Sequence, residues 1–236
     1  MLEEYKLDRK NWNLFSDTIN IRSDVLITEH IVDFANNPKD LEILELGSGN
    51  GKVARKFSRL GNKVVGVDVI KEQIDVAKSL GEKVEYIRAD FSSSDFVNRF
   101  SSSKKFDIVL SLFSLMYLSI EQLESTLENI NKLLITDGKL IVATIHPCRE
   151  ILRNNFDYFK IQELQNEMPS RATGLFKTTY THFPLEILFD FFLKAGFKIH
   201  RILEPRATAN EVAKFTDILS DNDKYIPNYL LINLKK

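Results

Sequence analysis

Helices alternate with largely apolar strands along most of this chain, which predicts an α/β fold: a mostly parallel sheet with helices on both faces. Three observations carry that expectation. Five segments read as strands buried on both faces: LEILEL (41–46), KVVGVDV (63–69), KVEYIRAD (83–90), FDIVLSLF (106–113) and GKLIVATI (138–145). Between them apolar residues recur at helical spacing: Val53, Phe57 and Leu60; Ile70, Ile74, Ala77 and Leu80; Ile120, Leu123, Leu127, Ile130 and Leu134. Finally, the first strand runs straight into a turn with glycines at positions 47, 49 and 51. In open α/β sheets ligands bind beyond the carboxyl ends of the strands, where this turn must lie.

The remaining elements follow in order. Residues 11–36 read as mostly helical, ending in a loop at Asn36, Asn37 and Pro38. Gly61 and Gly81 stop the helices that follow the first two strands. SSSDFVNRFSSSKK (92–105) reads as a short helix between polar loops, and Ser119 with Gln122 forms a capping box. From 146 to 183 the period is lost. Pro147, Pro169 and Gly174 interrupt a stretch that alternates charge with aromatics, which is expected to be an insertion. Pro184 opens a further helix carrying Leu185, Leu188, Phe191 and Ala195, with Gly196 at its end. FKIHRIL (197–203) and NYLLINL (228–234), joined by a polar connection, complete seven strands.

Bulk properties narrow the function classes. The 236 residues suit one domain, expected to span 1–236. A formal net charge of −1 supplies no global basic field, so no nucleic-acid partner is expected. Lys52, Arg55, Lys56 and Arg59 lie on one amphipathic stretch and read as a solvated helix face. Cys148 is the one cysteine and cannot form an intrachain disulfide, so a reducing, cytoplasmic setting is expected. MLEEYKLDRKNW has no apolar core, so no signal peptide is expected; nor is a membrane partner, since no apolar stretch approaches the ~18 residues of a span. A monomer or homodimer is expected.

The turn itself discriminates among ligands. A phosphate-binding P-loop would need glycine where Leu46 stands and a hydroxyl where Val53 stands. A dinucleotide fingerprint counted from Gly47 needs a third glycine where Lys52 stands. What remains is an acid followed by spaced glycines: Glu45, Gly47, Gly49, Gly51.

That pattern resembles the first motif of class I S-adenosylmethionine-dependent methyltransferases of the small-molecule type, and more features fall in the same order. Asp68 ends the second strand, Asp90-Phe91 follows the third, Ser111 to Ser114 follow the fourth, and LLITDGKLIVATIHP looks like the family's helix, turn and fifth strand. FPLEILFDFFLKAGFKIHRILEP and IPNYLLINLKK resemble its sixth strand and closing antiparallel strand. The resemblance implies a Rossmann-like seven-stranded sheet, S-adenosyl-L-methionine as cofactor, a small-molecule acceptor and no metal. It implies that Glu45 faces the methionine ammonium, and that Gly47, Ser48, Gly49 and Gly51 present backbone to the methionine and ribose. Asp68 would accept from the ribose hydroxyls, Val69 and Ile70 would flank the adenine, and Asp90 with Phe91 would meet its polar edge. Ser111 and Leu112 would border the methionine end.

A general base is needed only where the acceptor keeps its proton at neutral pH. His146, directly after the fifth strand, and His182, before the helix opened by Pro184, are the candidates; either could instead be a hydrogen-bonded residue that orders a loop. Cys148 reads as a packed thiol. Phe156, Tyr158, Phe159, Phe176 and Tyr180 would cover the acceptor or pack the insertion onto the sheet, with Tyr5, Trp12 and Phe15 of an N-terminal helical lid (1–38) as the other half. Alternatives remain: a tRNA or protein methyltransferase, disfavoured by charge and by SLFS (111–114) in place of an N-P-P-Y-type tetrapeptide; and a non-catalytic adenosyl-ligand-binding protein. An NAD-dependent oxidoreductase is disfavoured by Lys52 and the last strand.

Overall fold

The computed structural model describes residues 22–151, 156–170 and 174–236. Helix α1 (Arg22–Phe34) precedes strand β1 (Glu42–Leu46). Then α2 (Lys52–Arg59), β2 (Lys63–Asp68), α3 (Lys71–Ser79), β3 (Val84–Arg88) and β4 (Phe106–Leu112) alternate as expected. They are followed by α4 (Ile120–Leu133), β5 (Leu134–Ile145), β6 (Gln162–Ser170) and β7 (Gly174–His182). The chain ends with α5 (Leu185–Lys194), β8 (Lys198–Leu203), α6 (Ala209–Lys214) and β9 (Tyr229–Lys235).

Seven strands form one sheet in the order β3-β2-β1-β4-β5-β9-β8, while among the described residues β6 and β7 pair with each other in a second, two-stranded sheet. β9 inserts antiparallel between β5 and β8; every other neighbouring pair on the β3 side is parallel. Successive strand residues enter opposite layers. Ile43, Ile108, Ile141 and Leu231 pack with Ile27, Ile31 and Phe34 of α1, Phe57 of α2 and Ile74 of α3. Leu44, Val109, Leu140, Val142 and Ile232 pack with Leu123, Leu127 and Ile130 of α4 and Phe191 and Phe192 of α5. Burial on both faces is why the sequence shows no polar alternation in these strands. The Rossmann-like, mostly parallel architecture with its antiparallel last strand is as the sequence implied.

Four local readings need correction. The stretch 146–183 is not irregular: β6 and β7 form a hairpin paired from Gln162↔His182 to Ser170↔Gly174. This hairpin stands outside the main sheet, and its polar residues hide the signal that a doubly buried strand gives. β5 begins at Leu134 rather than 138, because the β4–β5 register shifts between Phe106 and Ile108. Leu60 and Leu80 do not join apolar helix faces; they close α2 and α3 as exposed C-caps. The connection 207–227 contains α6, started by a Thr208–Glu211 capping box. Within the expected lid 1–38, α1 is buried against the sheet, so the lid reading rests on 1–21; those residues, with Tyr5, Trp12 and Phe15, lie outside the described ones.

Candidate active site

At the end of β1 the chain reverses through Gly47 and Gly51, whose φ values of 71° and 76° are left-handed. Sterics alone also demand glycine at both. A Cβ at Gly47 would sit 2.5 Å from Ser114 Cβ, and one at Gly51 would sit 2.0 Å from the Tyr86 hydroxyl. The amides of Gly47 and Ser48 both donate to the Val67 carbonyl, at 2.8 and 2.9 Å, which ties the turn to β2. Asp68 completes the clamp. Its Oδ2 accepts from the Gly49 amide at 2.8 Å and its Oδ1 from the Ile70 amide at 2.9 Å. Burial pushes the Asp68 carboxyl above its ordinary pKa, while the amides of Ile70, Gly49 and Val69 oppose this.

Glu45 lies under the turn and is 3 % exposed. Burial pushes its carboxyl up to about 8; the Ala54 amide opposes this, the Asp68 charge adds to it, and Arg55 opposes it. Among the described residues its Oε2 has no hydrogen-bond partner, and neither has the buried Ser48 hydroxyl. A buried carboxylate oxygen without a donor is costly. An ammonium group delivered by a ligand would satisfy it, so the residues present fit the methionine end of S-adenosylmethionine.

The other expected residues converge on the same edge. Ser111 and Ser114 share a hydrogen bond of 2.7 Å, and Ser114 donates to the Leu46 carbonyl at 2.7 Å, bracing the turn from the β4 side. Leu112 is half-buried and precedes Phe113, whose φ of 56° is unusual for an aromatic residue and often marks a functional site. Val69 is half-buried beside Asp68, and Ile70 is buried at the start of α3. Asp90 accepts from the Ser92 amide and hydroxyl, at 2.9 and 2.6 Å, and Phe91 packs on the core below.

Past the ends of β4 and β5 lies an open, apolar cleft. Leu115, Met116, Ile145, Phe183 and Phe192 line it, with His146, His182, Thr144 and Thr181 as polar groups. The structure thus brings both histidines to one cleft. The hairpin covers it: the Thr181 hydroxyl donates to the Leu118 carbonyl at 3.3 Å, and Tyr180 packs on Met116 and Ile145. Phe156 and Tyr158 meet the His182 ring edge-on, at 4.8 and 5.6 Å between centroids, while Phe159 is exposed. The side chain of Phe176 lies outside the described residues.

Sequence reasoning missed several participants. His146 Nε2 stands 2.8 Å from Glu204 Oε1, and its amide donates to the Asn228 carbonyl at 3.0 Å. Glu150, almost fully buried, accepts from the Tyr180 hydroxyl at 2.9 Å. No local pattern marks these residues; only the fold brings them together. Cys148 is partly buried, and burial raises its thiol pKa, as expected of a packed thiol.

Residues 37–206 match the family model described as a methyltransferase domain. The chain belongs to this methyltransferase-domain family. Among curated relatives, the ubiquinone biosynthesis O-methyltransferase of Pelagibacter ubique is 28 % identical over 108 residues, 46 % of this chain and 43 % of that protein. Its Rickettsia canadensis counterpart is 27 % identical over 160 residues, 63 % of this chain and 64 % of that protein. The methyltransferase-domain chain therefore spans roughly half the length of the curated relatives it matches. Among solved structures, an S-adenosylmethionine-dependent methyltransferase from Mesorhizobium loti superposes with TM-score 0.64 at 17 % identity, over 86 % of this chain and 96 % of that one. The 1,6-didemethyltoxoflavin-N1-methyltransferase of Burkholderia thailandensis, solved with bound 1,6-didemethyltoxoflavin and S-adenosylhomocysteine, gives 0.62 at 16 % identity, over 99 % of this chain and 86 % of that one. At these identities the likeness shows a shared fold.

Proposed function

We propose that this methyltransferase-domain protein transfers the methyl group of S-adenosyl-L-methionine to a small molecule with a largely apolar body. The observation that carries the reading is Glu45: a buried carboxyl, pushed up to about 8 and with one oxygen unpartnered, beneath a turn clamped by Asp68. A phosphate chain brings no cation to either acid, and it would be repelled as they ionise. A ligand with an ammonium at one end and ribose hydroxyls beside it answers both.

The cofactor supplies a methyl on a sulfonium, a leaving group already activated for in-line displacement. Alignment and exclusion of water are then the protein's main tasks. Glu45, the turn amides and Asp68 would hold the cofactor; Val69, Ile70, Asp90 and Phe91 would border its adenine; and Ser111 and Leu112 would lie near the methyl. The apolar cleft beyond β4 and β5 would receive the acceptor, with residues 146–183 and the N-terminal segment flanking it in a single domain of 1–236. Relatives described as methylating small molecules support this choice. We place the protein in the cytoplasm; among the described residues no helix is long and apolar enough to cross a membrane.

The test is a turnover screen. The protein and S-adenosylmethionine are incubated with a panel of apolar hydroxylated, aminated and quinone-like molecules, and released S-adenosylhomocysteine is measured. Acceptor-dependent release is expected. Tight cofactor binding with no release across the panel would instead favour a non-catalytic adenosyl-binding protein.

A further inference from the structure

We propose that the two cleft histidines have different roles: His182 accepts the acceptor's proton at Nδ1, and His146 is a latch that holds the cleft wall. The proposal rests on the methyl-transfer reading above and extends it to the acceptor class, a hydroxyl-bearing molecule.

Hydrogen-bond direction decides between the rings. His146 Nδ1 accepts from the Cys148 amide at 3.1 Å, so its lone pair is already used. The proton of the neutral ring is then on Nε2, which lies 2.8 Å from Glu204 Oε1 but out of line for a hydrogen bond. To act as a base, His146 would have to release the Cys148 amide. As placed, it joins the end of β5 to the segment after β8, and its amide adds the bond to the Asn228 carbonyl.

His182 has the opposite arrangement. Its Nε2 is 2.9 Å from the Tyr158 carbonyl oxygen. A carbonyl only accepts, so Nε2 must donate, and the neutral ring keeps its lone pair on Nδ1. No other hydrogen bond to this ring is made among the described residues. Phe156 and Tyr158 fix the ring plane, and the ring lines the cleft. Glu150 is the charged group that bears on it, with the Tyr158 carbonyl on Nε2, the buried Tyr180 phenol on the same strand, and His146 across the cleft. Burial lowers the His182 pKa, while the Tyr158 carbonyl and Glu150 oppose this. The ring is therefore neutral at pH 7, and the same two groups stabilise the imidazolium once it forms.

The proton step balances simply. The acceptor's O–H bond breaks and its proton joins Nδ1; the electron pair left on oxygen forms the new bond to the methyl carbon as the carbon–sulfur bond breaks, its pair leaving with the sulfur. The imidazolium later gives that proton to water. A neutral amine needs no base to attack, whereas a phenol near its ordinary pKa of about 10 does.

Two measurements test this. Long-range proton–nitrogen NMR of histidine-labelled wild type, assigned with His182→Gln and His146→Gln, reads each tautomer directly and needs no turnover. His182 is expected neutral at pH 7 with its proton on Nε2; a proton on Nδ1, or an imidazolium at that pH, overturns the proposal. On a hydroxylated acceptor from the screen, His182→Gln keeps an amide donor for the Tyr158 carbonyl but has no basic nitrogen. It should lower kcat at least ~100-fold and abolish the acid limb of the pH profile, with cofactor KM within about twofold. His146→Gln should retain that limb. A His182→Gln enzyme with unchanged kcat and acid limb also overturns the proposal. Failure of wild type to bind S-adenosylmethionine would remove the methyl-transfer reading while leaving the tautomer result standing, so the two failures are distinguishable.

Discussion

Glu45 shows what a single residue gains from its surroundings. In sequence it is an acid before a glycine turn; in the fold its carboxyl is pushed up to about 8 by burial and has an unpartnered oxygen. The folded protein holds a proton that the unfolded chain releases, so stability is lost as pH rises from the ordinary value of 4.5 toward 8. Glu45→Gln removes this penalty and should raise the ligand-free Tm at pH 8, checked by calorimetry, while weakening cofactor binding at least about tenfold. The same shift makes binding pH-dependent. Below pH 8 the carboxyl must lose a proton to meet an ammonium, so one proton is released per ligand. Above it, an α-amino group of ordinary pKa about 7.7–8.0 must regain one. Affinity should peak near pH 8 and fall about tenfold per unit below pH 7, with the sign of proton exchange read by calorimetry in buffers of different ionisation enthalpy. The motif letters were legible in the sequence, but this poise was not, because it depends on neighbours that only folding supplies. The tautomers of His146 and His182 were hidden for the same reason.

Among the elements, the doubly buried strands were legible because burial on both faces leaves a continuous apolar run. The capping box of α4 was equally plain: Ser119 accepts from the Gln122 amide at 3.3 Å, and the Gln122 side chain accepts from the Ser119 amide at 3.1 Å. The β6–β7 hairpin was not legible, since a strand pair off the main sheet shows no such run. Nor was the reason for Gly51, which lies across the sheet: the Tyr86 ring from β3 occupies the space a side chain would need. Gly51→Ala should therefore cost more than the ~1–2 kcal/mol of left-handed strain alone. Denaturant unfolding checks this, and a double-mutant cycle with Tyr86→Leu should show favourable coupling of at least ~0.5 kcal/mol, because the smaller side chain removes the clash but not the strain.

At the scale of the molecule, strand order turns dispersed residues into one site. β1 and β4 are neighbours at the centre of the sheet, with β2 and β5 flanking them, so Glu45, Asp68, Ser111 and His146 reach a common edge. A ligand bridging the ends of β1, β2 and β3 binds only the folded chain and must stabilise it as a whole. At a free concentration of 100 times Kd that linkage is worth about 2.7 kcal/mol. For a domain of this size it corresponds to roughly 5–10 °C in Tm. S-adenosylmethionine should produce a shift of that order at pH 8 and a smaller one at pH 6.5, as the Glu45 proton must then be displaced. NAD should produce none, because Lys52 stands where a dinucleotide turn needs its third glycine. A shift with NAD and none with S-adenosylmethionine would mean that the acids under the turn serve another ligand. A cofactor shift equal at both pH values would mean that Glu45 does not meet the ammonium, leaving the buried oxygen without its proposed partner.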